Sequence, residues 1–303
     1  MSFLPSARGL SPERIRAYNS ETMRLISLYL NLASDVITPA VVTELATACG
    51  LSRERAYATL LASVCGLEPD GRDRVYFEEY FVPMVKECDP APFLADPYYR
   101  AVRLPHKKSG RWELRTQVLR PCEAFVRDDF RVLSDGRMLP SLGFFMEEFP
   151  YPAVLEGGRE WMTLMPNETV TTLPAVRAAH GRVLTFGLGL GYFAFHASEK
   201  PEVESVTVVE LSADAVALFR ENILPLLPHK EKVSIVLSDA FDFLDTMPRD
   251  AYDFAFADIW HDVGDGRELY HRFKTYEPRF PHTEFTYWIE DTIRCYERPE
   301  LWK

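Results

Sequence analysis

Residues 183–193 read VLTFGLGLGYF, and this stretch decides how the C-terminal half of the chain folds. Its first four residues form a short apolar run that is typical of a buried strand. Three glycines follow at alternate positions, and the aromatic residues after them favour a helix. Glycines between a strand and a helix let the backbone turn tightly and approach a ligand without a Cβ in the way. The stretch therefore predicts a strand, a glycine bend and a helix whose first amides face a polar ligand.

A second apolar run, residues 205–209, predicts the next strand, and Glu210 ends it. The acid lies about 20 residues beyond the glycines, which is the spacing of the carboxylate that hydrogen-bonds ribose hydroxyls in nucleotide-binding folds. Glu210 is therefore a predicted ribose ligand. Leu188, inside the bend, and Leu211, directly after the acid, are predicted contacts of the same ligand.

Two further apolar runs each lead to an aspartate, Asp239 after the third strand and Asp258 after the fourth. Ligands of open α/β sheets bind outside the carboxyl ends of the strands, so both side chains should lie beside the glycine bend. Asp239, with Ala240, is predicted to accept a hydrogen bond from an adenine amino group. Asp258 is predicted to face the reacting end of the ligand. Phe241 either stacks on the ring or packs inward.

Taken together, these strand ends resemble the class I S-adenosylmethionine-dependent methyltransferase superfamily over about residues 180–290. The matching positions are Gly187, Gly189 and Gly191 in the glycine motif, Glu210 as the ribose acid, Asp239 and Ala240 in the adenine motif, and Asp258 as the fourth-strand acid. The resemblance implies a Rossmann-like α/β fold, S-adenosylmethionine as the cofactor, and transfer of a methyl group to a small-molecule acceptor.

Methyl transfer requires the acceptor and the sulfonium to be held in line with water excluded. A carboxylate or a histidine can also remove a proton from the acceptor. Asp258 and His261 are the candidate catalytic residues for that proton transfer. Tyr192 and Trp260 are candidates to line the sulfonium, because a positive charge favours aromatic faces.

A narrower resemblance is to the polyamine (spermidine) synthases, which share this domain. Residues 154–162, VLEGGREWM, lie where those enzymes have a hairpin turn before the glycine bend. Thr185 stands where methyltransferases usually carry an acid and polyamine synthases do not, whereas their tyrosine-rich amine-binding helix is not evident in residues 167–172. Aminopropyl transfer is therefore the first alternative. A non-catalytic adenosyl-binding protein, suggested by the short stretch after Asp258, is the second.

Two other site types are disfavoured. NAD sites use Gly-x-Gly-x-x-Gly, whereas the spacing here is Gly-x-Gly-x-Gly and large aromatic residues follow. Asp258, His261, Asp262 and Asp265 fall within eight residues, and such oxygen-rich clusters suit magnesium. No second pair of ligands is identifiable, so the sequence predicts no metal site.

The N-terminal half reads differently. Ser11-Pro12 is a helix cap followed by proline at the first helical position. Residues 44–52 have a helix–glycine–helix rhythm that resembles the winged-helix-like domains before some O-methyltransferase domains, where they dimerise. The interpretations are simple helical packing, dimerisation and a DNA-reading helix-turn-helix, of which the acidic chain disfavours the last. Dimerisation would give a homodimer. Asp135-Gly136 predicts a hairpin.

The predicted domains are a helical, winged-helix-like domain over 1–110, a β-hairpin region over 111–165 and a Rossmann-like domain over 166–303.

Composition limits the partners. The formal net charge is −11 at pH 7, which disfavours nucleic acid and anionic membrane surfaces. No apolar run approaches the roughly 18 residues that span a bilayer, and the first five residues do not begin a signal peptide. The five cysteines form no Cys-x-x-Cys pair, as in reduced proteins. We therefore expect a cytoplasmic enzyme.

Overall fold

The computed structural model describes residues 10–104 and 106–302, so the expectation about the first five residues lies outside the described residues. The chain divides into two compact units. One comprises the chain up to Pro90, Val118–Phe149 and the chain from Arg294, and the other comprises Ala91–Gln117 and Pro150–Ile293. The predicted boundaries after residues 110 and 165 do not coincide with these units, and the three-part division stays a prediction.

Helices and strands follow one another along both units. The helices are α1 (Pro12–Leu32), α2 (Pro39–Cys49), α3 (Arg53–Val64), α4 (Arg74–Tyr76), α5 (Val82–Met84), α6 (Ala91–Leu94), α7 (Pro97–Ala101), α8 (Pro166–Ala178), α9 (Tyr192–Glu199), α10 (Ala213–Asn222), α11 (Ala240–Thr246), α12 (Val263–Lys274) and α13 (Glu290–Tyr296). The strands are β1 (Val85–Glu87), β2 (Lys107–Ser109), β3 (Trp112–Leu119), β4 (Phe125–Val132), β5 (Met138–Phe144), β6 (Phe149–Glu156), β7 (Arg159–Thr163), β8 (Gly181–Phe186), β9 (Val203–Glu210), β10 (Val233–Leu237), β11 (Phe254–Ala257) and β12 (Glu284–Tyr287).

The first unit packs its helices against a small sheet with the strand order β1–β5–β4. Strands β4 and β5 are antiparallel, and Gly136 takes a φ of +88° in the turn between them. Tyr57 of α3 stacks on Phe144 of β5 with ring centroids 4.1 Å apart, and its hydroxyl shares a 2.9 Å hydrogen bond with Tyr29 of α1. Aromatic packing therefore forms this core. The winged-helix-like character of the region stays a prediction.

The second unit contains a parallel sheet with the strand order β10–β9–β8–β11–β12. The chain runs outward from β8 to β10 and then crosses to β11 on the other side of β8. Strands β8 and β11 therefore flank the point where the direction of winding reverses, which is where ligands of such sheets bind. All four residues of β11 are buried, as expected for a strand with helices on both faces of its sheet.

The second unit also contains most of a four-stranded sheet with the order β2–β3–β6–β7. Strands β6 and β7 form an antiparallel hairpin whose turn uses Gly157 and Gly158, with φ of +58° and +86°. The second strand of the hairpin, β7, carries Trp161 and Met162. Helix α8 and then β8 follow β7 along the chain. The hairpin is therefore separated by a single helix from the strand that leads into the glycine bend.

Asp96 and Tyr98, which precede β2, form hydrogen bonds to residues at the start of α9 and directly before it. Asp96 caps α7 by accepting a 2.7 Å hydrogen bond from the amide of Tyr98. The other oxygen of Asp96 accepts from the hydroxyl of Tyr192 at 2.9 Å, and its first oxygen lies 3.0 Å from Nε2 of His196. The hydroxyl of Tyr98 donates to the carbonyl of Leu190 at 2.6 Å. The position of the bend therefore depends on a segment about 95 residues earlier in the chain.

We expect Asp96→Asn to lower the free energy of unfolding at pH 7 by about 1–3 kcal/mol, the usual loss for a buried charged hydrogen bond. Burial opposes ionisation, but the hydrogen bonds from His196, Tyr98 and Tyr192 hold the pKa of Asp96 below its usual value. This stabilisation is present above the pKa of an unfolded aspartate, about 4, and disappears as the pH falls through the folded value. Urea unfolding between pH 3 and 7 should show that the difference in the free energy of unfolding between the wild type and Asp96→Asn becomes smaller as the pH falls. The exposed Asp70→Asn serves as the control, and an equal loss in both variants would contradict the role of Asp96.

Candidate functional site

The glycine bend is a left-handed turn between β8 and α9. Gly187, Gly189 and Gly191 have φ of +95°, +48° and +75°, a region that residues with a Cβ rarely adopt. The amide of Gly187 donates to Val209 of β9 at 2.9 Å. A Cβ at Gly187 would overlap the carbonyl oxygen of Asp258. Glycine is therefore required at position 187 because the chain that leaves β11 passes directly over it.

The other two glycines are covered by side chains. A Cβ at Gly189 would collide with Met162 of the β6–β7 hairpin, and a Cβ at Gly191 would collide with Phe219 of α10. Met162 therefore closes part of the outer face of the bend. A cavity nevertheless remains beside it, and both Gly187 and Gly189 line that cavity.

Glu210 ends β9 with its carboxylate against the bend. Its Oε2 accepts a 3.1 Å hydrogen bond from the amide of Leu188, and its Oε1 accepts a 2.7 Å hydrogen bond from the amide of Ser212. Each oxygen of a carboxylate can accept more than one hydrogen bond. The side chain is therefore fixed by the backbone and can still accept from a ligand.

Asp239 serves first as the N-cap of α11. Its Oδ1 accepts from the amides of Phe241 and Asp242 at 2.8 and 3.1 Å. Phe241 is 2% exposed, and the guanidinium carbon of Arg272 lies 3.6 Å from its ring centroid. Of the two predictions for Phe241, inward packing is the one that the structure shows. Arg272 covers one face of the ring.

A cavity of about 480 Å³ lies at the carboxyl ends of the strands. The predicted residues that line it are Gly187, Leu188, Gly189, Glu210, Leu211, Asp239, Ala240, Phe241, Asp258, Trp260 and His261. Gly191 and Tyr192 line a small recess beneath the bend instead, together with Gly187, Leu188 and Asp258. The side chains predicted from four separate strand ends therefore meet around one space.

The cavity has an acidic and aromatic wall. Among the described residues that line it, the carboxylates are Glu160, Glu168, Glu210, Asp239 and Asp258, and the one guanidinium is that of Arg272. Trp161, Trp260 and Trp288 supply indole rings. Trp161 is 43% exposed and packs edge-on to His261, with ring centroids 4.9 Å apart. This surface favours a ligand that is flat in part and carries positive charge.

Asp258 and Glu168 are held differently from Glu210 and Asp239. No side-chain hydrogen bond or ion pair joins either carboxyl group to another described residue, and the exposed part of each faces the cavity and the recess. Burial raises the pKa of Asp258 to about 7. Burial and the charge of Asp258 together raise the pKa of Glu168 well above its usual value. Asp258 is thus poised to take up or release a proton near neutral pH.

His261 is oriented by Asp265 of α12. Its Nδ1 lies 2.9 Å from Oδ2 of Asp265, and the same carboxylate accepts from the amides of His261 and Asp262. The imidazole is half exposed on the cavity wall. Asp262 and Asp265, two members of the polar cluster after β11, thus form the capping box of α12.

Sequence reasoning missed several residues of the wall, among them Trp161, Met162, Glu168 and Arg272. Glu168 and the hairpin residues precede β8, and Arg272 lies on the far part of α12. The glycine pair at 157–158 did predict a turn. The local sequence does not indicate, however, against which part of the protein a strand of a hairpin or a face of a helix will pack.

Among residues 10–104 and 106–302, no three or more His, Cys, Asp or Glu side chains are grouped as a metal ion would need. No helix in the same part of the chain combines the length and apolarity required to cross a membrane.

Neither a known protein family model nor a curated protein matches the chain. Solved structures similar to it include a spermidine synthase from Thermotoga maritima, with 13% identity, coverage of 41% of this chain and 48% of that one, and a TM-score of 0.30. Others are the 23S rRNA methyltransferase ErmE (20% identity, coverage of 39% and 44%, TM-score 0.29) and a candidate O-methyltransferase from Klebsiella pneumoniae (22%, 36% and 48%, 0.28). These are the two groups that the sequence resembles. The chain spans less than half the length of each.

We expect Gly187→Ala to destabilise the protein by at least about 3 kcal/mol, because left-handed strain of about 1–2 kcal/mol adds to the overlap with Asp258. Gly158→Ala is the matched control: its φ is +86°, but no atom lies within 4 Å of the added Cβ. It should lose only about 1 kcal/mol. Thermal and urea unfolding of both variants measure the difference, and equal losses would show that the close approach at Gly187 does not constrain the fold.

We expect Asp258→Asn to stabilise the protein at pH 8 by about 2 kcal/mol. The raised pKa means that the folded carboxyl holds its proton while the unfolded one has lost it, so wild-type stability falls as the pH rises from about 4 to about 7. Asparagine removes that dependence. Urea unfolding of the wild type and Asp258→Asn at pH 5 and pH 8 tests this prediction, with Asp250→Asn, at an exposed position, as the control. A pH-independent difference would show that Asp258 titrates normally.

Proposed function

We propose that this chain is an S-adenosylmethionine-dependent methyltransferase that acts on a small molecule. The observation that carries the proposal is the position of Glu210. Its carboxylate is hydrogen-bonded to the amide of Leu188 inside the glycine bend, on the wall of a cavity that Asp239 and Asp258 also line. One acceptor at the bend and one at the third strand end suit the ribose and adenine of an adenosyl group.

The residues present fit S-adenosylmethionine. A volume of about 480 Å³ lies in the usual range for small-ligand pockets. The carboxylate of Glu210 in the wall favours its sulfonium charge, and the indoles of Trp161 and Trp260 line the same space. Glu210 would hold the ribose, Asp239 and Ala240 the adenine, and Leu188 and Leu211 the apolar edges of the adenosine.

The same wall disfavours NAD. A dinucleotide places a doubly charged pyrophosphate at the bend, where the carboxylate of Glu210 would repel it. The first turn of α9 carries the buried Tyr192 and Phe193, so no later glycine opens the helix end to a pyrophosphate.

S-adenosylmethionine supplies the electrophilic methyl group. The chain must then exclude water, orient the acceptor and receive its proton. Trp161 covers the cavity from the hairpin side, and Trp260 and Trp288 are buried in its wall. Asp258 is the first candidate base, because it is partnerless and its pKa is about 7. His261, held by Asp265, is the second.

Calorimetric titration with S-adenosylmethionine, its decarboxylated form and NAD tests the proposal. We expect S-adenosylmethionine to bind most tightly, and Glu210→Ala to weaken it by about 1.5–3 kcal/mol, the cost of charged hydrogen bonds. Glu204→Ala, an exposed carboxylate near the other end of β9, is the matched control and should change nothing. Because Glu210 also holds two backbone amides, thermal unfolding of both variants is measured alongside.

The other outcomes discriminate among the alternatives. Preference for the decarboxylated donor would replace methyl transfer by aminopropyl transfer. Tight binding with no turnover across an acceptor panel would indicate a binding protein. Unchanged affinity in a folded Glu210→Ala variant would overturn the assignment of the bend.

A further inference from the structure

We propose that Arg127 and Arg131 form a binding site for a phosphate group on the first unit, where β4, β5 and α5 meet. Neither residue lines the cavity at the glycine bend, so the proposal goes beyond the function proposed above. Two sources can supply the group: free phosphate and a phosphate monoester. The chemistry of recognition is the same for both.

The two arginines come from one strand and are oriented by neighbouring elements. Nη2 of Arg127 donates to Oγ of Ser141 in β5 at 2.8 Å. Nη2 of Arg131 donates to the carbonyl of Pro83 in α5 at 2.7 Å. In the register of β4 and β5, Arg131 lies opposite Leu139, which is two residues from Ser141, or about 7 Å along a strand. One small ion can therefore meet both guanidinium groups.

Neither guanidinium has a carboxylate partner. No acidic side chain among residues 10–104 and 106–302 forms an ion pair with Arg127 or Arg131. Three other arginines of the same unit each have such a partner: Arg53 pairs with Glu87, Arg55 with Glu78, and Arg120 with Asp35. The chain has 45 acidic residues against 34 lysines and arginines, so acids are not scarce. The two unpaired arginines are an exception that a ligand would explain.

The pair is costly without an anion. Nε of Arg127 is buried and has no hydrogen-bond partner in the described part of the chain. Few buried donors in folded proteins lack an acceptor. Burial and the charge of Arg127 also lower the pKa of Arg131, and the opposing charge of Asp128 only partly offsets them. A bound anion would compensate both positive charges.

A phosphate group suits these donors better than a carboxylate. Each guanidinium is a planar fork with five N–H groups that matches the oxygens of a phosphate. A phosphate monoester carries nearly two negative charges at pH 7, and the site offers two positive ones. A carboxylate would compensate only one of them. Ser141 is 1% exposed and acts as a positioning residue, since its hydroxyl orients Arg127.

Calorimetric titration with inorganic phosphate, phenyl phosphate and acetate tests the site. Sodium chloride at matched ionic strength accounts for unspecific screening of charge. The titrations are run on the wild type, Arg127→Gln and Arg131→Gln, with Arg249→Gln as the matched control. Arg249 is an exposed arginine of the second unit that likewise makes no ion pair with a described residue.

We expect the wild type to bind phosphate, and Arg127→Gln and Arg131→Gln each to weaken it by at least about tenfold, as for the loss of a charged hydrogen bond. Arg249→Gln should leave the affinity unchanged, and acetate should bind the wild type more weakly than phosphate. Tighter binding of inorganic phosphate than of phenyl phosphate would assign the site to the free ion. The reverse order would assign it to a monoester.

Three outcomes would overturn the site: no binding of either phosphate by the wild type, equal affinity for acetate, or the same phosphate affinity in both arginine variants as in the wild type. Thermal unfolding of each variant in phosphate-free buffer separates loss of binding from loss of the fold. If Arg127→Gln does not fold, the exposed Arg131→Gln decides the question. Binding of S-adenosylmethionine should be the same in all four proteins, so the result is independent of the proposed function.

Discussion

The close passage of the chain over Gly187 sets the geometry of the whole site. Strands β8 and β11 are parallel neighbours, and the amide of Asp258 still pairs with Phe186 at 2.9 Å. The carbonyl of Asp258 then occupies the space where any Cβ on Gly187 would lie. This contact fixes how the bend leaves the sheet, and thereby places the amide of Leu188 against Glu210. It also holds the carboxyl group of Asp258 between the cavity and the recess.

The electrostatic consequence is a site that is costly without a ligand. Glu168 and Asp258 are partnerless and share a region withdrawn from bulk water, where an unpaired charge is strongly disfavoured. A fold selected for stability alone would pair these groups or replace them with apolar side chains. A cationic ligand or a proton-transfer role would explain their placement, since functional sites are where such perturbed groups concentrate.

The rim of the sheet could be predicted from the sequence because parallel strands deliver their carboxyl ends to one edge. Glu210, Asp239 and Asp258 were found this way, from apolar runs followed by acids. Glu168 and Arg272 could not be found, because helices place side chains by how they pack against a sheet, and that packing is decided by the whole core. The helical N-terminal half shows the same limit, since its caps predicted α1 but not which unit each segment would join.

Four of the five carboxylates around the cavity, all but Glu160, divide into two kinds, and the division follows from their backbone partners. Glu210 and Asp239 are each held by two amides, so their orientation is set before any ligand arrives and little entropy remains to be lost on binding. Such groups suit the recognition of neutral hydroxyl and amino groups. Asp258 and Glu168 have no such anchors, and their charge is not stabilised by the protein. Those are the carboxylates free to respond to a charge or a proton that the ligand brings.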